Sequence, residues 1–323
     1  MMSDPKPAST PIRRINIRGD MLEVADLIEL CFLDQMELDG REYLRQIRRA
    51  ASDNSLLRWV PGSSESISVP LDGYVWEEDG RVVGNLTLIP FFSKGHWLYL
   101  ICNVAVHPDY RRRGIGRELT QRALEHIQAH GASSAWLQVR HDNSAAVRLY
   151  HSLGFEERLK RATWSSEPIW SPNAEVLKDT EVRRRRNSDW ELQSSWFEEI
   201  YPPEMRWNLA FEPQRYSTGL WSSLLRSLEG VDTQFWSVSR KHELMGGAIL
   251  EIGRRSMEQL WVAADPYDEE DALYALLFAA HKANPEPPIL MINYPAGRAE
   301  NAFKKAGFEL RNILIWMELS YKK

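Results

Sequence analysis

Residues 104–155 read VAVHPDYRRRGIGRELTQRALEHIQAHGASSAWLQVRHDNSAAVRLYHSLGF. An apolar run from Ile101 to Val106 reads as a strand that meets Pro108. Arg111-Arg112-Arg113-Gly114-Ile115-Gly116 follows as a basic turn. The pattern then predicts a helix from Gly116 to His130, with Ile115, Leu119, Ala123 and Ile127 four residues apart and Gly131 as its stop. Ala135 to Val139 reads as a second strand, and a short helix from about Asn143 to Leu153 closes on Gly154-Phe155. A helical crossover makes the two strands parallel neighbours. A strand feeding a glycine-bearing basic turn at a helix N-terminus is an anion site, because unpaired N–H groups and the positive helix end converge there. A dinucleotide fingerprint fits less well, since Leu119 stands where its third glycine belongs, and the chain has no NTPase-type phosphate loop.

RRRGIG fits the Q/R-x-x-G-x-G/A signature of the GNAT acetyltransferase superfamily. NSAAVRLYHSLGF resembles that family's later N-x-x-A-x-x-L-Y-x-x-x-G-F segment. The two pieces stand in the family's order, separated by one helix and one strand. The resemblance implies an α/β fold: a mixed, mostly antiparallel sheet whose parallel strand pair splays to admit acetyl-coenzyme A as co-substrate. It implies that Val104, Ala105 and Val106 offer their backbone to the pantetheine arm. Backbone N–H groups from about Arg112 to Arg117, through Arg113, Gly114, Ile115 and Gly116, would hold the pyrophosphate, with Arg111 adding charge. A backbone N–H near Asn103 or Val104 would face the thioester oxygen, Asn143 would contact the cofactor, and Tyr150 would protonate the departing thiolate. Each residue also has a structural use: the valines as core, Asn143 as a helix N-cap, and Tyr150 on an apolar face with Ala146 and Leu153. Many relatives carry a glutamate where this chain has Leu98. His96, Tyr99 and His107 lie nearby in sequence, but no base is assigned, and no metal is expected.

The 323 residues suggest about two domains, and 43% hydrophobic with 26% charged residues describes an ordinary globular chain. A net charge of −5 argues against nucleic acid as a partner. Two cysteines, Cys31 and Cys102, make no disulfide framework, and no apolar stretch approaches a membrane span. A cytoplasmic location without membrane attachment is expected; oligomeric state is left open. The Pro/Ser-rich start, residues 1–12, reads as a disordered tail.

The pattern begins with a strand at Arg14 to Ile17 and a helix opened by an Asp20/Glu23 capping box. A second helix, about Arg41 to Ala51, groups Tyr43, Leu44 and Ile47. In the family, these helices wall the acceptor side. Residues 52–70 are polar and irregular, which suits a mobile loop over a site. Gly73–Trp76 and Arg81–Ile89 form a hairpin candidate around Asp79-Gly80, followed by a strand at Trp97–Val106.

The pattern then repeats. Ser188-Asp189-Trp190-Glu191 reads as a capping box, Phe235–Ser239 and Met245–Ile252 as a hairpin, and Gln259–Ala263 as a strand ahead of Asp265-Pro266. A helix at about Asp268–Lys282, a strand at Ile289–Asn293 and AENAFKKAGFE (Ala299–Glu309) complete the echo. The expected organisation is two tandem GNAT-like domains, at 13–165 and 181–323, joined by a linker at 166–180. That architecture resembles two-domain members of the mycothiol-synthase kind. The second copy replaces the basic turn by Asp268-Glu269-Glu270-Asp271, Tyr150 by Phe303 and Asn143 by Ala296. Carboxylates at that helix N-terminus would repel a pyrophosphate, so the chemistry is expected in the first copy.

Six tryptophans, 164, 170, 190, 196, 207 and 221, cluster around the linker and the second copy. They suit an inter-domain core or an aromatic acceptor pocket. Arg183–Arg186 suits an exposed strand better than an import signal. The expected activity is acyl transfer from acetyl-coenzyme A to a primary amine, on a small molecule or peptide, by direct attack in a ternary complex. The alternatives are a non-catalytic acyl-coenzyme A-binding module or a tandem transferase with another acyl donor.

Overall fold

The basic turn and its helix lie in the first of two compact units. Unit 1 holds Met1–Arg158 and Trp316–Lys323, and unit 2 holds Leu159–Ile315. The computed structural model describes residues 11–33, 36, 38–52, 72–166, 179–209, 211–218, 232–252, 257–283 and 289–321.

In unit 1, β1 (Ile12–Arg14), β2 (Asp72–Glu78), β3 (Arg81–Ser93), β4 (His96–Val106) and β5 (Ser134–Arg140) lie side by side in that order. Pairing is antiparallel up to β4 and parallel between β4 and β5. Asp79 and Gly80 both take positive φ, as a tight hairpin between right-twisted strands requires. The last strand, β12 (Phe308–Ser320), is β5's other neighbour, and its residues from Trp316 onward belong to unit 1. Trp316 meets Trp136 edge to face at 6.5 Å, and Tyr321 donates from its hydroxyl to the Leu124 carbonyl at 3.1 Å.

Helices α1 (Ile17–Phe32) and α2 (Leu38–Ser52) bury Val24, Leu27, Ile28, Leu44 and Ile47 in one core cluster with Val75 and Ala105. α3 (Ile115–Ala129) packs on β2, β3 and β4 through the expected stripe of Ile115, Leu119, Ala123 and Ile127. Gly84 permits that approach: a Cβ there would come within 2.9 Å of Ile115 and 3.1 Å of Leu119. α4 (Ser144–Ser152) follows β5.

The start of α1 differs from expectation. Asn16, not Asp20, is the N-cap, its side chain accepting from Arg18 N–H. Asp20 sits one turn inside and binds the Arg13 guanidinium at 2.6 and 2.9 Å and the Asn16 N–H at 2.7 Å. Burial raises the Asp20 pKa, but these bonds outweigh it and hold the carboxyl below its usual range. Glu23, assigned to the same box, instead accepts from Val82 N–H at 2.9 Å.

In unit 2, β7 (Thr180–Arg184), β8 (Asp232–Arg240), β9 (Glu243–Ile252), β10 (Met257–Ala264), β11 (Ile289–Pro295) and β6 (Glu156–Ser166) lie side by side. β10 and β11 are its parallel pair. Its helices are α5 (Trp190–Ile200), α6 (Pro203–Leu209), α7 (Glu269–Ala283) and α8 (Glu300–Lys305). Arg183 on β7 binds Asp189 just before α5 at 2.6 Å, as Arg13 on β1 binds Asp20 in unit 1. Asp189 also accepts from Arg186 N–H, the capping role that Ser188 was expected to fill. The segment expected as a linker contributes Ser166 to β6 and Thr180 to β7, while residues 167–178 lie outside the described residues. Trp164 stacks on Phe303 at 4.8 Å within the core of unit 2, and Trp196 joins the same core; Trp170 and Trp221 lie outside the described residues. Residues 1–10 and the expected loop at 53–70 also lie outside them. Among the described residues, no helix is long and apolar enough to cross a membrane.

Candidate active site

The parallel pair of unit 1 holds register from Leu98↔Ser134 to Ile101↔Leu137 and then stops. The last residues of β4, Cys102 to Val106, therefore keep β3 on one side but have no ladder partner on β5. β4 is also bulged there. Asn85 faces Ala105 and Thr87 faces Cys102, so β4 carries one residue more than β3 across this interval. Asn103 takes φ +51°, a left-handed conformation that asparagine tolerates better than most side chains.

At the end of β4 the chain turns through Pro108–Tyr110, with the His107 side chain accepting from Asp109 N–H at 3.3 Å. Arg112 takes φ +65° and Gly114 φ +85° as the N-cap of α3. Arg117 N–H and Glu118 N–H return to the Gly114 carbonyl at 2.9 and 3.1 Å. The N–H groups of Arg112 through Gly116 take no backbone partner among the described residues. That is the unpaired donor set of a helix start, aligned with the positive end of the α3 dipole.

The three arginines divide their work. Arg111 donates from Nε to the Val106 carbonyl at 3.1 Å, the same oxygen that Cys31 Sγ approaches at 3.3 Å. Arg113 meets Glu78 at 3.3 Å and lies 4.7 Å over the Tyr110 ring. Both brace the turn. The exposed Arg112 has no ion-pair partner among the described residues and presents a free positive charge beside the N–H set.

The site residues converge at Gly116. A Cβ built there would stand 3.7 Å from Leu149 on α4 and 3.9 Å from Val106 on β4, both ordinary contacts. The protein's own packing therefore does not demand glycine at 116. A ligand approaching the backbone closely would. Arg117 also donates to Ser152 on α4 at 2.7 Å. Asn143 caps α4, its Oδ1 accepting from Ala146 N–H at 3.1 Å, and its Nδ2 has no partner among the described residues. Tyr150 is buried against Phe155, ring centroids 5.9 Å apart, and burial pushes its phenol up to about 12. Its hydroxyl makes no hydrogen bond to the described residues, so the proton stays on it at neutral pH and is available to donate.

The structure also brings forward a residue that sequence reasoning had placed only in an apolar stripe. Asn103 Nδ2 donates to the Tyr43 hydroxyl at 2.7 Å and approaches Thr87 Oγ1 at 3.4 Å. Burial raises the Tyr43 pKa, so this phenol also keeps its proton. Tyrosine midway along a helical apolar stripe was the available signal, but its partner lies sixty residues away. Of the nearby candidate bases, two are engaged elsewhere and the third is exposed. Tyr99 is buried edge to face against His126 at 6.0 Å, His107 caps its turn, and His96 stands exposed at the start of β4. Burial raises the Cys102 thiol to about 12, so it holds no thiolate at neutral pH. No cluster of His, Cys, Asp and Glu among the described residues has metal-binding geometry.

Residues 35–155 match the model of the acetyltransferase (GNAT) family. The [ribosomal protein bS18]-alanine N-acetyltransferase of Escherichia coli (strain K12) is 44% identical over 62 residues, 19% of this chain and 42% of that protein. The match thus spans less than half of that relative. Among solved structures, a GCN5-related N-acetyltransferase from Sphaerobacter thermophilus superposes with TM-score 0.59 at 15% identity, over 97% of this chain and 96% of that one. A tandem GNAT protein from the clavulanic acid biosynthesis pathway superposes with TM-score 0.51 at 16% identity, over 97% and 98%. At such identities the two structures show a shared fold. The match covers residues 35–155, where the basic turn, the splayed strands and Tyr150 all lie, so that this part of the chain is similar to the GNAT acetyltransferase family.

Proposed function

We propose that the protein is a coenzyme A-dependent N-acyltransferase working through unit 1, moving an acetyl group to a primary amine by direct attack in a ternary complex. The observation that carries this is the convergence at Gly116. There the unpaired N–H groups of a helix start, the unladdered end of β4 and the helix bearing Tyr150 come within contact distance. Those donors, with the free Arg112 charge and a glycine the protein's packing does not require, fit a pyrophosphate. Acetyl-coenzyme A, when bound, supplies the acyl group as an activated thioester.

The N–H groups of Arg112 to Gly116 and the Arg112 guanidinium hold the anion. The backbone of Val104 to Val106, Val104 foremost because the Val106 carbonyl already accepts from Arg111, offers ladder positions that an extended arm can take as an added strand. The backbone N–H groups at Asn103 and Val104, next to the bulge, would donate to a carbonyl oxygen gaining charge. Asn143 Nδ2 remains free to donate while Oδ1 caps α4. Tyr150 donates to the departing sulfur. Held at about 12, it gives up its proton reluctantly, so its first contribution is a hydrogen bond that strengthens as charge builds on sulfur. A fully protonated Cys102 argues for direct attack by the amine over a covalent acyl-cysteine. The E. coli relative is named for acetylating an alanine of a ribosomal protein, which supports an amine acceptor here. Unit 2, with carboxylates at the start of α7, serves as a non-catalytic partner.

The test is thiol release from acetyl-coenzyme A against a panel of primary amines, peptides with free N-termini included. Turnover with at least one amine supports the proposal. Saturable acetyl-coenzyme A binding with no turnover on any amine would show a binding module instead.

A further inference from the structure

We propose that Asn85 is a positioning residue for acyl transfer, locking the β4 bulge that aims the Asn103–Val104 backbone into the splay. The proposal rests on the transferase reading above and adds a residue to it. An inserted residue rotates the backbone of a strand and leaves ladder groups unmatched. Here the Asn103 carbonyl is matched by a side chain: Asn85 Nδ2 donates to it at 2.9 Å from the facing strand, at the point where the register shifts. The other side of the same residue is held by its own amide, which donates to Tyr43 and Thr87. Asn103 is thus fixed from β3, where Asn85 and Thr87 lie, and from α2, at a φ of +51° that an unrestrained chain would seldom hold.

The cost of this arrangement is visible. Asn85 is completely buried, and its Oδ1 has no hydrogen-bond partner among the described residues. A buried acceptor left unpaired is unfavourable, and leucine of similar size would remove the penalty. An amide kept at such a position serves the bond its other end makes. That bond holds backbone geometry at the place where acyl transfer needs a donor set to within a fraction of an ångström.

The experiment is steady-state kinetics, acetyl-coenzyme A titration and thermal unfolding of the full chain as wild type, Asn85→Leu and Asn85→Asp. Asn85→Leu is expected to unfold at or above the wild-type Tm. Its kcat should fall roughly 10- to 100-fold, as for a misplaced transition-state donor, with acetyl-coenzyme A Kd and amine KM within about twofold of wild type. A residue that only supports the fold would lower Tm and leave kcat of the folded protein unchanged. In Asn85→Asp a protonated carboxyl can donate to the Asn103 carbonyl, whereas a carboxylate repels it. The kcat ratio of this variant to wild type should therefore fall with rising pH, which decides the matter should the leucine variant not fold. A folded Asn85→Leu with kcat within about twofold of wild type, or a flat ratio for Asn85→Asp, overturns the assignment. Absence of turnover in the wild-type chain would sink the transferase reading itself; turnover there with unchanged kcat in the variants would sink only the role of Asn85.

Discussion

Both units part their parallel strands at the same point. Pairing of β4 with β5 ends at Ile101, and pairing of β10 with β11 ends at Gln259, each equally far from the strand's last residue, Val106 or Ala264. The exits match as well. His107 N–H reaches the Val83 carbonyl at 2.9 Å, and Asp265 N–H reaches the Met245 carbonyl at 2.7 Å. Beyond this the units diverge. β10 pairs with β9 without a bulge over Gln259–Ala264. Val262, at the place of Val104, has both backbone groups taken by the Tyr201 hydroxyl, at 3.3 Å each. Tyr201 is fully buried and packs 4.7 Å from Phe211 and 5.2 Å from Trp261. No side chain among the described residues bonds the Val104 backbone.

The helix starts differ in the same sense. Gly114 and the free N–H groups open α3, whereas α7 opens on Glu269, which accepts from Tyr294 at 2.7 Å and pairs with Arg298. Its neighbour Glu270 accepts from Ala302 N–H at 2.7 Å. Unit 2 thus consumes internally the hydrogen-bonding capacity that unit 1 leaves unpaired among the described residues. One fold holds either a site or its replacement, and particular side chains decide which.

That contrast can be broken from either side. The largest expected effect is on turnover: Tyr150→Phe should lower kcat by roughly 10²- to 10⁴-fold, the range for lost general-acid help, with acetyl-coenzyme A Kd nearly unchanged in direct titration. Unchanged turnover would return Tyr150 to a purely packing role. Next, Arg112→Glu should weaken acetyl-coenzyme A binding by about 10- to 100-fold by giving unit 1 the charge sign of unit 2, while Arg113→Glu should act chiefly through the turn's stability. Equal affinity in Arg112→Glu and wild type would remove that residue from the anion site.

The next two probes concern unit 2. The Asp189 carboxyl is held at about 2 against an ordinary 3.8: burial raises it, but bonds from Arg183, Ser237 and Arg186 N–H outweigh that. A depressed carboxyl contributes stability above the unfolded pKa and loses it as pH falls through the folded one. Asp189→Asn should therefore cost about 2 kcal/mol at neutral pH, and the difference from wild type should shrink from about pH 4 to about pH 2 in denaturant titrations. The smallest effect belongs to Tyr201→Phe. Losing two long hydrogen bonds to Val262 should destabilise unit 2 by about 1 kcal/mol and leave the acetyl-coenzyme A KM unchanged. A changed KM would mean that unit 2 takes part in donor binding after all.

Much of unit 1 was legible because its signals are local. The helical stripe from Ile115 to Ile127, the basic glycine turn and the Asp79-Gly80 hairpin each lie within a few turns of chain. What escaped depends on partners remote in sequence. The bulge at Asn103 exists only through its pairing with Asn85 and Thr87, and Tyr43 becomes a site neighbour only when α2, packed on α1, brings it to Asn103 on β4. Asp20 read as an N-cap because the sequence does not show that Arg13, one strand earlier, would claim its carboxylate. The plug in unit 2 was invisible for the same reason: Tyr201 follows α5 in the chain, and nothing nearby announces Val262 as its partner. The loss of charge complementarity at α7 was legible, being written in four adjacent residues.

The division of the chain has a consequence for how the protein is made. Unit 1 includes Trp316–Lys323, with Arg158 paired to Glu318 across 160 residues and Tyr321 bonded to Leu124 across 197. A ribosome releases residues 1–158 long before these arrive, and until then β5 lacks the neighbour that β12 provides. Through that interval unit 1 carries an unfinished sheet edge, the kind of surface that pairs with other chains. Unit 2, whose residues 159–315 are contiguous, can close first. Synthesis and completion therefore run in opposite order: the half that begins first is completed last.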